Sequence, residues 1–257
     1  MKNRLLVLLL SLIVVALVSC KHEDYKCLCC NLPYDYWSCE QLSDTTGLNL
    51  YPIEDILPNI PWDELMESSQ IPEEYLRGMT TKALFYQCIN SRVGSMFASC
   101  SHNCKELRNK PNMISEMLKR PDTGQALLEI LSHITLDYAL EKSECITVYS
   151  HLQHIIGWRQ IINIMSDDEI EQYICQEMRI FEELIVGAKD PNASMLFSII
   201  PIAIGFHNLL MRFEYEPYMA NPLDDYYLIN AGSWPLRVEK FQEIIEHIKE
   251  FLKNKKR

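Results

Sequence analysis

The 257-residue sequence has little glycine and proline, 8 and 12 residues, and contains no Asn-Gly or Asp-Gly pair. Those pairs mark tight β-hairpins, so their absence argues against a hairpin-rich β fold. Together with a charged fraction of 23%, these low counts exclude disordered, collagen-like and low-complexity chains. The sequence also lacks a Gly-rich phosphate loop and a nucleophile elbow, so it shows no recognisable catalytic motif.

Positive charge is also scarce, with 24 Lys and Arg against 35 Asp and Glu and a formal net charge of -11. An acidic surface repels a phosphate backbone, so we expect no nucleic-acid partner. For the same reason, a basic patch that binds anionic lipid headgroups is not expected.

The longest apolar run lies at the N-terminus, where Lys2 and Arg4 precede an almost unbroken apolar run over 5–18. The run is too short to cross a hydrocarbon core of about 30 Å, but it has the length of a signal-peptide core. It ends at Ser19-Cys20, and polar residues follow at once. This leader resembles the lipobox of bacterial lipoproteins. A secretory signal cut near Ser19 and an uncleaved anchor are the alternatives, but neither explains why the run stops at a cysteine.

The resemblance implies a signal peptide over 1–19 and a lipid, of the palmitate type, on Cys20. Removal of 1–19 takes away two basic residues and no acid, which leaves a net charge of -13. Each buried acyl CH2 contributes about 0.8 kcal/mol, so the lipid rather than a basic patch would hold the protein on the membrane. We therefore expect a lipid-anchored protein of the bacterial cell envelope, at the outer membrane, on its periplasmic or its surface face.

Nine further cysteines accompany Cys20, and thiols of an exported protein meet an oxidising environment. Four of them cluster near the N-terminus and suggest one or two disulfides or a closed metal site: Cys27, Cys29, Cys30 and Cys39. The spacing lacks the two paired knuckles of most structural zinc sites, so disulfides are favoured. The other five fall in helical patterns, where we expect small buried apolar side chains.

Residues 20–60 combine cysteines with recurring prolines and read as an extended tether whose end packs on the body. From residue 61 onward, apolar residues recur at helical spacing. Helix starts are indicated by Pro72, Thr80 or Thr81, Asp122, and the capping-box sequence that begins at Ser166. The sequence therefore predicts an all-α fold, a compact antiparallel helical bundle or array, with a single domain over 61–257.

Two helical segments carry specific expectations. One continuous helix is predicted over about 144–165. Residues 192–211 contain no Lys, Arg, Asp or Glu and are long enough to suggest a membrane span. Pro201, Gly205 and His207 within that segment favour a buried central helix instead.

Two stretches look like the helical region of exported proteins from Gram-negative bacteria. They are Ile-Pro-Glu-Glu-Tyr-Leu-Arg-Gly-Met-Thr-Thr-Lys-Ala-Leu, from Ile71, and Arg-Pro-Asp-Thr-Gly-Gln-Ala-Leu-Leu-Glu-Ile, from Arg120. In some of those proteins the region precedes a papain-like domain built around a Cys-His pair. Nothing after residue 140 resembles that domain, so the resemblance implies a helical fold and no catalytic role.

One histidine pair is a candidate for chemistry. His151 and His154 lie three residues apart, downstream of Glu144 and Cys145, in a set that suits a metal or a Cys-His nucleophile. However, Cys145 and His151 are nearly two helical turns apart, beyond contact in a straight helix. Capping and surface polar roles are therefore favoured.

An aromatic cluster is the second candidate site. It occupies a loop predicted from about Glu214 to Pro235 and comprises Tyr215, Tyr218, Tyr226, Tyr227 and Trp234. Aromatic rings beside carboxylates suit binding of a glycan or a protein. A loop held on the core by its own aromatics is the alternative, and it is favoured.

Together these patterns predict a lipid-anchored envelope protein whose helical domain has an interaction or structural role. The alternative is an envelope hydrolase or metal-dependent enzyme with an unrecognised site. We expect a membrane contact through the lipid, a protein or glycan partner, and no cofactor.

Overall fold

The computed structural model describes residues 36–52, 61–91, 94, 111–134, 143–187, 193–222 and 234–255. These residues form twelve helices and no strand, which confirms the all-α prediction. In chain order the helices are α1 (Cys39–Ser43), α2 (Trp62–Ser68), α3 (Glu73–Gly78), α4 (Thr81–Asn90), α5 (Asn112–Met117), α6 (Thr123–Ser132), α7 (Ser143–Ile156), α8 (Arg159–Ile164), α9 (Asp167–Gly187), α10 (Ala193–Arg212), α11 (Glu216–Met219) and α12 (Trp234–Lys255).

Residues 36–52, at the end of the predicted tether, pack directly on the helical body. Leu42 of α1 is buried, and its carbonyl accepts a 2.7 Å hydrogen bond from the Tyr86 hydroxyl. The Gln87 side chain bonds both backbone groups of Tyr51, accepting from its N–H at 2.7 Å and donating to its carbonyl at 3.1 Å. The segment is thus fixed to α4 by hydrogen bonds as well as by apolar contact.

Local sequence signals fix several helix starts. The Thr80 hydroxyl accepts from the N–H of Ala83, which makes Thr80 the cap of α4. At the start of α9, Ser166 and Glu169 form a reciprocal capping box, in which the Glu169 carboxylate accepts from the Ser166 N–H at 2.6 Å. Asp122 precedes α6 as predicted, but its carboxylate accepts from the Thr81 hydroxyl at 2.7 Å and does not cap the helix.

The continuous helix predicted over 144–165 is wrong, because the chain breaks between α7 and α8. Trp158 has extended backbone, with φ -60° and ψ 137°. The break lies where α7 crosses α10: a Cβ on Gly157 would lie 3.3 Å from the Cα of Gly205. The carbonyl of Gly157 accepts a 2.9 Å hydrogen bond from the Asn208 side chain of α10. A contact between distant helices therefore sets the boundary.

Helix α10 occupies the centre of the second half of the body. It packs against α7, α8, α9, α11 and α12, and its residues 201–210 are all buried. In the part of the chain that the structure describes, no helix combines the length and apolarity needed to cross a membrane.

One type of helix junction occurs twice among the described residues. Arg120 donates to the carbonyls of Leu76, at 2.8 Å, and Met79, at the C-terminal end of α3. Arg212 donates to the carbonyls of Ile162 and Met165, the latter at 2.9 Å, at the end of α8. The second carbonyl belongs to Met79 in the first junction and to Met165 in the second. Each methionine directly precedes the residue that caps the next helix, Thr80 or Ser166. We call these contacts the two arginine clamps.

Each clamp meets a defined electrostatic need. The last carbonyls of a helix have no partner within it and carry partial negative charge. A guanidinium supplies donors in a planar fork together with positive charge, so it satisfies two carbonyls at once.

Candidate functional site

Most residues of the two predicted N-terminal sites lie outside the described residues. These are the lipid-bearing Cys20 and three cysteines of the cluster, Cys27, Cys29 and Cys30. Cys39 is the first residue of α1. Lipidation and the pairing of the cluster therefore stay predictions.

Two residues of the predicted aromatic loop lie against the body. Tyr218 is 1% exposed, in the short helix α11, and its hydroxyl lies 2.6 Å from Nδ1 of His207. Tyr215 is half-buried, with its ring edge-on to Phe251 at 5.8 Å. Both contacts are those of a loop held on the core by its aromatics. Tyr226 and Tyr227 lie outside the described residues, and Trp234 is the first residue of α12.

The histidines of α7 make contacts with their own helix. Nδ1 of His151 lies 2.7 Å from the Thr147 carbonyl, and Nδ1 of His154 lies 2.7 Å from the Ser150 carbonyl. Each imidazole thus bonds a carbonyl one turn earlier. Across the described residues, no three His, Cys, Asp or Glu side chains are grouped so that they could hold a metal ion.

A buried polar cluster lies among helices α7 and α9, and we take it as the candidate functional site. Its members are Gln153 of α7 and Tyr173 and Glu177 of α9, and Gln176 is a further buried polar side chain of α9. Among the residues that the structure describes, the following buried atoms have no hydrogen-bond partner: both carboxyl oxygens of Glu177, Oε1 and Nε2 of Gln153, the Tyr173 hydroxyl oxygen and Oε1 of Gln176. Buried polar groups without partners are uncommon in folded proteins, so the cluster requires an explanation.

Burial dominates the electrostatics of Glu177. The side chain is 0% exposed, and this loss of hydration raises its pKa from 4.5 to about 8. The neighbouring Gln153 side chain and the positive charge of Arg179 act in the opposite direction and offset only part of the effect. Burial also raises the pKa of Tyr173 well above its usual value, and the nearby Glu177 adds to that shift.

The Tyr173 hydroxyl lies against the crossing of α7 and α10. A Cβ on Gly205 would lie 1.8 Å from this hydroxyl oxygen and 3.2 Å from the Cα of Gly157. Glycine at position 205 therefore makes room for the tyrosine. The Tyr173 ring packs edge-on against Phe206 at 6.1 Å.

A neighbouring recess between α9, α10 and α12 is apolar. Its walls include Phe181, Phe206, Phe241 and Ile244, and it has no room for a water molecule.

The sequence contains a signal for Glu177 that belongs to no catalytic motif. The apolar face of α9 follows Ile170, Tyr173 and Ile174, and helical spacing places residue 177 on the same face. An ionisable side chain at a core position of an amphipathic helix indicates a shifted pKa or a buried partner. Gln153 lies four residues after the buried Tyr149 and carries the same signal on α7.

Comparison with known proteins assigns no family to this geometry. No protein-family model, no curated protein and no solved structure matches the chain.

Proposed function

We propose that the protein is a lipoprotein of the bacterial cell envelope, anchored through Cys20, whose helical body has a binding or structural role. The observation that carries this proposal is the leader: a short basic start, an apolar run over 5–18, and a cysteine at which the run stops. An acidic body with a net charge of -13 after removal of 1–19 needs such an anchor to stay at a membrane.

The contacts of the body support a structural role for its polar side chains. Arg120 and Arg212 bind helix-end carbonyls, and Asn208 binds the carbonyl of Gly157 at the break before α8. His151 and His154 bond carbonyls of their own helix. The two arginines and Asn208 hold helices in place, which suits a rigid body that presents a surface to a partner.

Lipid labelling of a Cys20→Ala variant tests the anchor. The wild-type protein, produced in a Gram-negative host with a clickable palmitate analogue, should carry label and sediment with membranes. Cys20→Ala should lose the label and the membrane association. Cys27→Ala is the matched control, because it removes a cysteine from the same segment and should keep both. Label that persists in Cys20→Ala would contradict the proposal.

Cross-linking in the intact envelope tests the binding role. The full-length protein, treated with a short amine-reactive cross-linker in whole cells, should give a discrete adduct with an envelope protein or glycan. A known envelope complex in the same sample serves as the positive control for cross-linking. If that complex is cross-linked and this protein is recovered only without an adduct, the binding role is contradicted.

A further inference from the structure

We propose that Glu177 and Gln153 form an internal proton-binding site, in which the folded protein holds Glu177 as a neutral carboxylic acid paired with the Gln153 carboxamide. Release of this proton at alkaline pH would leave a charge inside the body and break the pairing of Glu177 with Gln153. The inference is independent of the proposed membrane anchor.

The first argument is the supply of donors and acceptors. An ionised carboxylate only accepts hydrogen bonds, so it can use the amide donor of Gln153 but leaves the amide oxygen without a donor. A protonated carboxyl group offers one donor and one acceptor. Its O–H can donate to Oε1 of Gln153 while Nε2 of Gln153 donates to its carbonyl. A small side-chain adjustment thus satisfies groups that lack partners in the structure.

The second argument is the surroundings of the carboxyl group. Glu177 is 0% exposed and Gln153 is 1% exposed, so bulk water does not hydrate the charged form. The only positive charge that acts on Glu177 among the described residues is that of Arg179, two residues along α9. Arg179 also donates to the Leu131 carbonyl of α6 at 3.5 Å, and its guanidinium lies 5.5 Å from the Tyr36 ring.

The titratable groups of the packed helices have other contacts. On α9 itself, Tyr173 stays neutral because burial raises its pKa. The histidines on the helices around Glu177 have ring contacts of their own: His151 and His154 of α7 with backbone carbonyls, His207 of α10 with Tyr218, and His133, after α6, with the ring of Trp37 at 4.0 Å. None of these residues appears among the groups that act on Glu177.

Infrared difference spectroscopy of the full-length protein tests the proposal. A neutral carboxyl group has a C=O stretching band that the carboxylate lacks. Between about pH 6 and about pH 10 the wild-type protein should lose one such band, with a midpoint near pH 8 and far above the ordinary glutamate range. Glu177→Gln, a neutral isostere, should fold and lack the band.

Two further variants make the test specific. Glu129→Gln changes an exposed acid of α6 and should leave the band unchanged. Gln153→Leu removes the side chain that pairs with the Glu177 carboxyl group and should shift the midpoint. Absence of the band at about pH 6, its persistence in Glu177→Gln, or failure of Glu177→Gln to fold would each overturn the proposal. An unchanged midpoint in Gln153→Leu would overturn the pairing.

Discussion

The close packing where α7 crosses α10 can be tested by substituting Gly205 with alanine. This substitution has two opposite effects on the free energy of unfolding, a gain in helix propensity and a steric clash. Alanine favours a helix interior over glycine by about 1 kcal/mol. Against this gain, the added Cβ would lie 1.8 Å from the Tyr173 hydroxyl oxygen and 3.0 Å from Cζ of the same ring. Tyr173 is 0% exposed, so the ring cannot turn into solvent.

We expect the clash to win. Overpacking a close-packed core costs about 1–3 kcal/mol and sometimes more, and two helix backbones also meet at this point. The approach of 1.8 Å places the cost at the upper end of this range, so Gly205→Ala should destabilise the protein by about 2 kcal/mol after the gain in helix propensity is subtracted. Equilibrium urea unfolding of the full-length protein, followed by helical circular dichroism, measures the change.

A double-mutant cycle with Tyr173→Phe identifies the cause. Tyr173→Phe alone should be close to neutral or stabilising, because the hydroxyl that it removes is buried and has no hydrogen-bond partner in the part of the chain that the structure describes. In the Tyr173→Phe background, Gly205→Ala should cost at least about 1 kcal/mol less than in the wild type, a measurable coupling energy. Gly78→Ala is the control, since a Cβ there meets nothing within 4 Å. A Gly205→Ala protein as stable as the wild type, or a coupling energy of zero, would refute the reasoning.

Two further predictions concern charge. The folded-state pKa of Glu177, about 8, lies above the ordinary value of 4.5. The unfolded chain therefore releases this proton first as pH rises, so the stability that the neutral acid provides is complete below about pH 4.5 and is lost by about pH 8. Thermal or urea unfolding across this range should show a free energy of unfolding that falls with pH in the wild-type protein and not in Glu177→Gln. At pH 7 the variant should be more stable than the wild type by about 3 kcal/mol. Parallel pH profiles of the two proteins would contradict this prediction. Arg120→Met and Arg212→Met should each lower the free energy of unfolding by about 1.5–3 kcal/mol, because each leaves helix-end carbonyls without a charged donor. Arg77→Met, which breaks only the exposed pair with Glu73, should stay close to the wild type, and equal effects at all three positions would argue against the clamps.

Local signals in the sequence were sufficient for the helical class and for several boundaries. Thr80 and Ser166 cap helices as predicted, because a cap depends on three or four neighbouring residues. Asp122 shows the limit of such signals. Its position at a helix start was predicted correctly, but a hydroxyl from α4 competes for its carboxylate.

Features set by contacts between distant segments were not predictable in the same way. The break at Gly157 depends on Asn208, and the arginine clamps join residues that no periodicity relates. The site at Glu177 was predictable only in part. The helical spacing of α9 places Glu177 on the apolar face, but only the fold shows that Gln153 is its neighbour.

The arginine clamps have a consequence for the order in which the chain folds. Arg120 lies 41 and 44 residues from the carbonyls that it binds in the first clamp, and Arg212 lies 47 and 50 residues from those of the second. The two loops closed in this way do not interleave along the sequence. A chain that emerges N-terminus first can therefore complete the junction at Met79 before residues 162–212 are available. Each clamp closes a loop of moderate length within its own half, which keeps the entropic cost of closure low.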